Sequence, residues 1–550
     1  MREGKVLQKI MKLKNFTRKS KLEEWMVSFF ISFSCMGCLF LKVHSISGYI
    51  AWVILLTVGS WVIRKFILFI FSRNWIEKFL NDSEKFAKVS IDRDKEIALK
   101  CILIIAVNSI IYWVAFYPGN MFVDTYYQFT QIFNWLPPSN WHCYGHTLFM
   151  KIIIQCTGDP AMIVLLQIIA VLYIMYLIFR ELHLLGFNDN YIYIFASLFS
   201  VSLSYGLQIT NIWKDSMFSI AQLYTVYFLY KNYETKFVYL NHAVIGGIGM
   251  FGMMLFRHNG VLVGGIIFVT IIFISENKFK PIVFSAAIMT VFFLLTHFGF
   301  AFMGIAPNSK VTSYLPMLHG IAAVEKEIGS NGLDPETKQL MDELLPEKLW
   351  IEKYNPFNGD PYLFDVNEVL TEKCENYALL DILSPYLKTF LRHPFTIIKD
   401  RLSSCELVWN LFPVDGSYNH IIGPNIDNSI FDNDTRLTEN FNIIPSNSNN
   451  ITILIQKIFN FIYNNTILNI IHFRPAWLLW ILAIVLIILS RHDIKTVIVA
   501  FPVIINVCTL LLAMNFQAYR YVWGVFLCTP NIVLLMIGKQ YQVIQKRKIK

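Results

Sequence analysis

Five short polar groups interrupt an otherwise apolar chain, and each could do chemistry. The first is Phe116-Tyr117-Pro118-Gly119-Asn120-Met121-Phe122-Val123-Asp124. Pro118 and Gly119 end one apolar helix, and a short amphipathic helix with Tyr126, Tyr127, Phe129, Ile132 and Phe133 follows. Asp124 then stands at or near the N-terminus of that second helix. An Asp there either caps the helix or serves as a general base that takes a proton from an acceptor hydroxyl. The second group is Trp141-His142-Cys143-Tyr144-Gly145-His146-Thr147. Two histidines four apart share a helix face. They can grip a metal, contact phosphate or sugar, or only hydrogen-bond within a polar loop. The third is Asn211-Ile212-Trp213-Lys214-Asp215, at a helix start. Lys214 and Asp215 either pair with each other, or Lys214 faces a phosphate while Asp215 positions it. The fourth, Arg257-His258-Asn259-Gly260, is a whole turn between two helices. Arg257 either snorkels or clamps an anion with its planar fork, with His258 beside it. The fifth is Gln517-Ala518-Tyr519-Arg520-Tyr521. Its arginine is either an anchor in an aromatic belt or one more cation for an anion.

These groups need a scaffold, and composition says which. The 550 residues are 55% hydrophobic and 15% charged, whereas soluble domains carry about 25% charged residues. Charge sits in short clusters between apolar runs long enough to cross a bilayer as helices. The runs lack barrel alternation, so the expected fold is an all-α polytopic membrane protein. The net charge of +9 concentrates at the two ends: Lys5, Lys9, Lys12, Lys14, Arg18, Lys19 and Lys21, then Lys546, Arg547, Lys548 and Lys550. Basic ends mark a cytoplasmic face in contact with anionic lipid, and this placement argues against nucleic acid. The long basic flank without a cleavage site reads as an uncleaved first helix. Cys35 and Cys38 form a lone Cys-x-x-Cys that calls for no metal. Cys374 and Cys405 could pair outside, but nothing in the sequence requires it.

Charge breaks give about twelve spans: 25–41, 48–63, 100–117, 160–179, 191–208, 214–230, 238–256, 261–275, 281–303, 475–490, 496–514 and 522–538. The expected organisation is a cytoplasmic basic N-terminus (1–24), then a bundle (25–304) with a first outer loop at 118–159. An extracytoplasmic, partly helical loop domain (305–474), C-terminal spans (475–538) and a cytoplasmic basic tail (539–550) follow. Within the loop domain, Asp334-Pro335-Glu336 is a helix start, and 376–411 has apolar residues at helical spacing. Residues 414–450 read as loop, and 451–472 as a helix on the membrane surface. There is no internal repeat at a fixed period. The protein is placed in a cell membrane with both termini cytoplasmic, and its Ile, Asn, Lys and Phe bias is that of AT-rich bacterial genomes.

In this topology Asp124, His142, His146, Lys214, Arg257, His258 and Arg520 all fall on the outer face, where the positive-inside bias disfavours cations. An anion to be bound there explains them, and Trp135, Trp141 and Trp213 offer rings that stack on sugar faces. The arrangement resembles the GT-C superfamily of membrane glycosyltransferases, and more closely a bacterial branch of largely uncharacterised function. The likeness covers roughly residues 100–415. It rests on Pro118-Gly119 to Asp124-Thr125, on Trp141-His142 to His146-Thr147, and on Lys214-Asp215. Arg392-His393-Pro394 and Trp409 to Pro413 complete it. The resemblance implies a polyprenyl-phosphate sugar donor and a glycan, lipid or protein acceptor in the envelope. It makes Asp124 the base in a single in-line displacement with inversion. Lys214, Arg257 and Arg520 would then hold the donor phosphate. His142, His146, Asp215, His258, Trp141 and Trp213 would orient the site or touch substrate. Trp350, Tyr354, Trp409 and Tyr418 of the large loop would cover it. No cofactor is expected. Relatives often have two adjacent acids where this chain has Asp124-Thr125, which puts a divalent metal in doubt. The alternatives are a carrier or flippase for a lipid-linked glycan, and a non-catalytic partner in envelope-glycan assembly. A carrier would show repeats and broken helices around a midplane site.

Overall fold

The computed structural model describes residues 2–43, 45–72, 93–233, 243–366, 368–414, 416–417, 450–490 and 494–549. Residues 73–92, and the loop with Tyr418, lie outside them. The described chain is helical, with isolated bridges and no strands among the described residues. Seven of its helices are long and apolar enough to cross a membrane: Lys21–Lys42, Ile46–Phe69, Asp94–Ala115, Ala161–Leu184, Phe279–Phe302, Thr496–Ala513 and Tyr519–Gln540. Two bent pairs raise the number to nine if each is one span: Asp189–Ser200 with Leu203–Ile209, bent 58°, and Thr466–Phe473 with Ala476–Ile487, bent 56°. Gly247–Phe256 and Gly260–Ile274 are apolar but shorter. The Lys214–Asn232 helix is continuous, but Asp215, Ser216, Ser219 and Gln222 break its apolar run. The protein is therefore a multi-helix membrane protein with at least seven candidate spans in a lipid environment.

The turns sort to two ends of the bundle. Arg180 pairs with Asp94 at 2.7 Å, Arg93 with Asp189 at 3.1 Å, and Lys231 with Glu181 at 2.8 Å, so these charged termini share one end. At the other end, called here the loop face, Lys399 Nζ donates to Val43 O at 2.9 Å. There too Thr452 Oγ1 donates to Ala115 O at 2.6 Å, and His258 lies 3.4 Å from Trp141 O.

Residues 305–414 form helices over the loop face with an apolar core of their own, including Leu318, Met341, Trp350, Tyr362 and Ile382. The start at Asp334 is a true cap: its carboxylate accepts from Thr337 N at 3.2 Å, and Pro335 opens the Pro335–Leu344 helix. Helices Leu379–Arg392, Pro394–Ser404 and Glu406–Trp409 fill the 376–411 region. Cys374 and Cys405 do not pair. Each is a buried free thiol, one in the core of this domain and one in that of the bundle. Residues 451–472 form two helices, Asn450–Asn464 and Thr466–Phe473.

Candidate functional site

Asp124 sits in the first turn of the Val123–Ile132 helix. It does not cap that helix. Its Oδ2 instead accepts from Lys214 Nζ at 2.9 Å and from Arg520 Nη1 at 2.8 Å, with His142 Nδ1 3.7 Å away. Three distant segments thus meet on one carboxylate oxygen. Asp215 collects the rest: Arg257 Nη1 lies 3.2 Å from Oδ1 and Arg520 Nε 3.6 Å from Oδ2. Lys214 and Asp215 do not pair with each other, because neighbours on a helix point in different directions. Three cations against two carboxylates leave one net positive charge. Arg257 neither snorkels nor anchors; it stacks over Tyr521 at 4.6 Å and Phe218 at 5.4 Å. Arg520 lies 4.6 Å over Trp213 and 5.1 Å over Tyr521.

Local sequence explains the convergence. Residues 119–124 run beside 209–214 as a short parallel bridge, with Asn120 N on Thr210 O at 2.9 Å and Ile212 N on Asn120 O at 3.0 Å. Thr125 Oγ1 adds a bond to Ile212 O at 2.9 Å. Gly119 has φ +146°, and a Cβ there would lie 2.8 Å from Val164 and 2.9 Å from Ile212, so only glycine admits the approach. The Arg257 turn closes equally tightly, since a Cβ on Gly260 would stand 1.9 Å from Met253 O. The Arg520 turn is held from the domain above. Gln517 binds Leu407 N and Ser403 O at 2.8 Å each, and Gly359 N donates to Asn515 O at 2.8 Å.

The two histidines part company. His142 precedes the Tyr144–Thr157 helix, whose first N–H, on Tyr144, is taken by Asn140 Oδ1 at 2.7 Å. His142 therefore does not share a helix face with His146, which turns to Gln128 Oε1 at 3.1 Å. Burial pushes His142 down to about 3 and His146 down to about 3. A neutral His142 accepts from Lys214 Nζ at 3.3 Å on Nδ1 and keeps an Nε2–H to donate. At Asp124, burial works against the charge, but Arg520 and Lys214 outweigh it and hold the carboxyl well below its usual range.

Asp124 and His142 line a cavity of about 360 Å³ between the first loop and the 305–414 domain. Tyr127, Trp141, Leu363 and Phe364 give it apolar and aromatic sides, Glu368 adds a second carboxylate, and Lys214, Arg257 and Arg520 stand behind the wall rather than in it. Trp350, Tyr354 and Trp409 do not cover it. Trp350 is buried in the domain core, Tyr354 donates to Asp400 at 2.7 Å, and Trp409 packs on Phe33. Their apolar surface is used in folding, which sequence spacing did not show. No family model matches the chain, and no curated protein or solved structure is similar to it.

The sequence reading missed Asp360. Its position before Pro361 resembles an ordinary helix start, and only the pairing of Asn358 with Phe516 brings it near Arg520. Burial pushes its carboxyl up to about 6, with Arg520 opposing and Asp124 adding to the rise. Among the described residues no group of three or more His, Cys, Asp or Glu could hold a metal ion.

Proposed function

We propose that this chain is a membrane glycosyltransferase of the GT-C type that moves a sugar from a polyprenyl-phosphate donor to an acceptor on the loop face, with that face extracytoplasmic. The observation that supports this reading best is the buried cluster of three cations against Asp124 and Asp215, which reaches the cavity wall through Asp124. Buried charges are usually balanced, and buried polar atoms usually bonded. Here Trp213 Nε1, Arg257 Nη1 and Arg520 Nε are buried without hydrogen-bond partners among the described residues, as are both Asp215 oxygens beside the two arginines. The two arginine contacts with Asp215 are ion pairs lacking hydrogen-bond geometry. A phosphate would satisfy such groups, because it presents several oxygens to a guanidinium fork.

In this reading the donor phosphate competes with Asp124 for Lys214 and Arg520. As those cations turn to the phosphate, Asp124 loses the partners that hold it acidic, and its basicity rises when a base is needed. Asp124 takes the proton of the acceptor hydroxyl. The hydroxyl oxygen forms its bond to the anomeric carbon as the carbon–oxygen bond to phosphate breaks. The leaving phosphate keeps the electron pair and remains on Lys214, Arg257 and Arg520. His142 donates its Nε2–H to a substrate oxygen.

Mass spectrometry of lipid-linked sugars and envelope glycans, with and without the chain, tests this. Loss of one glycan residue with accumulation of its lipid-linked donor is expected, and an unchanged glycan profile would overturn the reading. A carrier for a lipid-linked glycan is favoured by one observation. The bent Asp189–Ser200 and Leu203–Ile209 pair leads straight into the Asn211–Lys214 segment of the site, as discontinuous helices do in transporters. Purified protein that moves the lipid across vesicles without altering the glycan would establish that reading.

A further inference from the structure

The Leu379–Arg392 helix has two apolar faces, and the domain core uses one. Ile382 and Thr389 are buried, and Tyr386 and Ile397 approach Gly320 of the Val311–Ile328 helix. The other face carries Leu380, Leu387 and Leu391 and continues past Pro394 into Phe395 and Ile398. All five are exposed, Leu391 at 80% and Phe395 at 73%. The spacing of 380, 387 and 391 is that of one helical stripe. A contiguous stripe of large apolar side chains on a loop domain calls for a cover.

The orientation of this helix says what the cover is. The Val311–Ile328 helix is tied to the loop face at both ends. Near its start, Thr312 O accepts from Asn515 Nδ2 at 3.4 Å, in the turn between the Thr496–Ala513 and Tyr519–Gln540 spans. Near its end, Glu327 acts electrostatically on Lys399, whose Nζ donates to Val43 O at 2.9 Å in the turn between the first two spans. The Val311–Ile328 helix therefore lies along the face rather than standing on it. The Leu379–Arg392 helix runs beside it in the same direction. Lys310 Nζ reaches Tyr377 O at 3.1 Å at one end, and His393 Nε2 lies 2.9 Å from Gly332 O at the other. Ile398 is the residue before Lys399, so the stripe ends at the level where the first two spans end.

We propose that the exposed stripe Leu380, Leu387, Leu391, Phe395 and Ile398 rests in the headgroup boundary of the bilayer leaflet on the loop face. An amphipathic helix lying in the membrane plane binds this way, with its apolar face a few ångströms deep. Lys388 and Arg392 emerge beside the stripe, with Lys388 paired to Glu336 and Arg392 3.8 Å from Asp334. These pairs turn both side chains toward the domain, so Lys388 marks the polar side of the helix. The contact fixes the height of the domain that forms one wall of the cavity, but it does not depend on the reaction carried out there.

A benzophenone side chain placed at Leu391, and in a second variant at Lys388, tests the contact in the full chain reconstituted in phosphatidylcholine–phosphatidylglycerol nanodiscs. Both positions are on the surface, so folding is retained, and a thermal melt of each variant verifies this. Irradiation is expected to give several-fold more lipid adduct at Leu391 than at Lys388. Equal adducts at the two positions, or no lipid adduct at Leu391, would overturn the proposal. So would a Leu391 adduct to a second protein chain when the same irradiation is done in native membranes.

Discussion

Two buried charge clusters in this chain differ in balance and in access. Glu406 and Arg474 are 0% and 1% exposed, and Arg474 Nη1 lies 3.0 Å from each carboxylate oxygen. One anion meets one cation, and Asn410 Nδ2 adds a bond to the same carboxylate at 2.9 Å. The pair does not line the cavity at Asp124, and it ties the end of the 305–414 domain to the segment before the Ala476–Ser490 helix. The Asp124 cluster has three cations for two carboxylates, and its Asp124 lines a cavity. The first is a closed staple whose charges answer each other. The second has capacity left for a ligand. Burial is common to both clusters, whereas charge stoichiometry and access to a cavity set them apart.

Four experiments would break or sharpen that contrast. Asp124→Asn removes the proposed base and frees Lys214 and Arg520. Sugar transfer should fall about 10²–10⁴-fold, while binding of a phosphodiester probe, followed by calorimetry, is retained or tightened. Undiminished transfer would merge the two clusters into one structural class. Glu406→Ala leaves Arg474 buried and unpaired, and should cost about 3–5 kcal/mol of stability in detergent unfolding. If it costs less than the loss of Lys214, the staple reading fails. Lys214→Ala should weaken phosphodiester binding by about 10–100-fold, the range for a hydrogen bond to a charged group, with a smaller effect on unfolding than Glu406→Ala.

The smallest effect concerns pH. Asp360 has a raised carboxyl at about 6, so below that pH it is neutral and the cluster keeps its positive charge. Above it, a third carboxylate joins Asp124 and Asp215 in the field of Arg520 and offsets the excess positive charge. Phosphodiester affinity should therefore fall about threefold between pH 5.5 and 7.5, since one pKa unit corresponds to a tenfold change. The charged groups acting on Asp360 are Arg520 and Asp124. Asp360→Asn should flatten the profile, and an unchanged slope would remove Asp360 from the site's charge balance.

Much was legible before any fold was known. Apolar runs with clustered charge dictate membrane helices, because backbone groups in lipid must bond within the segment. Asp124, His142, Lys214, Arg257 and Arg520 stood out because charge between apolar runs is costly. Asp334-Pro335 announced its helix through local capping, a contact three residues long. What the sequence could not show was pairing at long range. Spacing suggested Lys214 with Asp215 and His142 with His146, since only near neighbours are visible in a chain. Tertiary structure instead joined Lys214 and Arg520 to Asp124, and brought Asp360 into their field through the Asn358–Phe516 bridge. Residue types are written in the sequence. Which charges answer each other depends on backbone approaches such as the one Gly119 allows, and those exist only once the helices have packed.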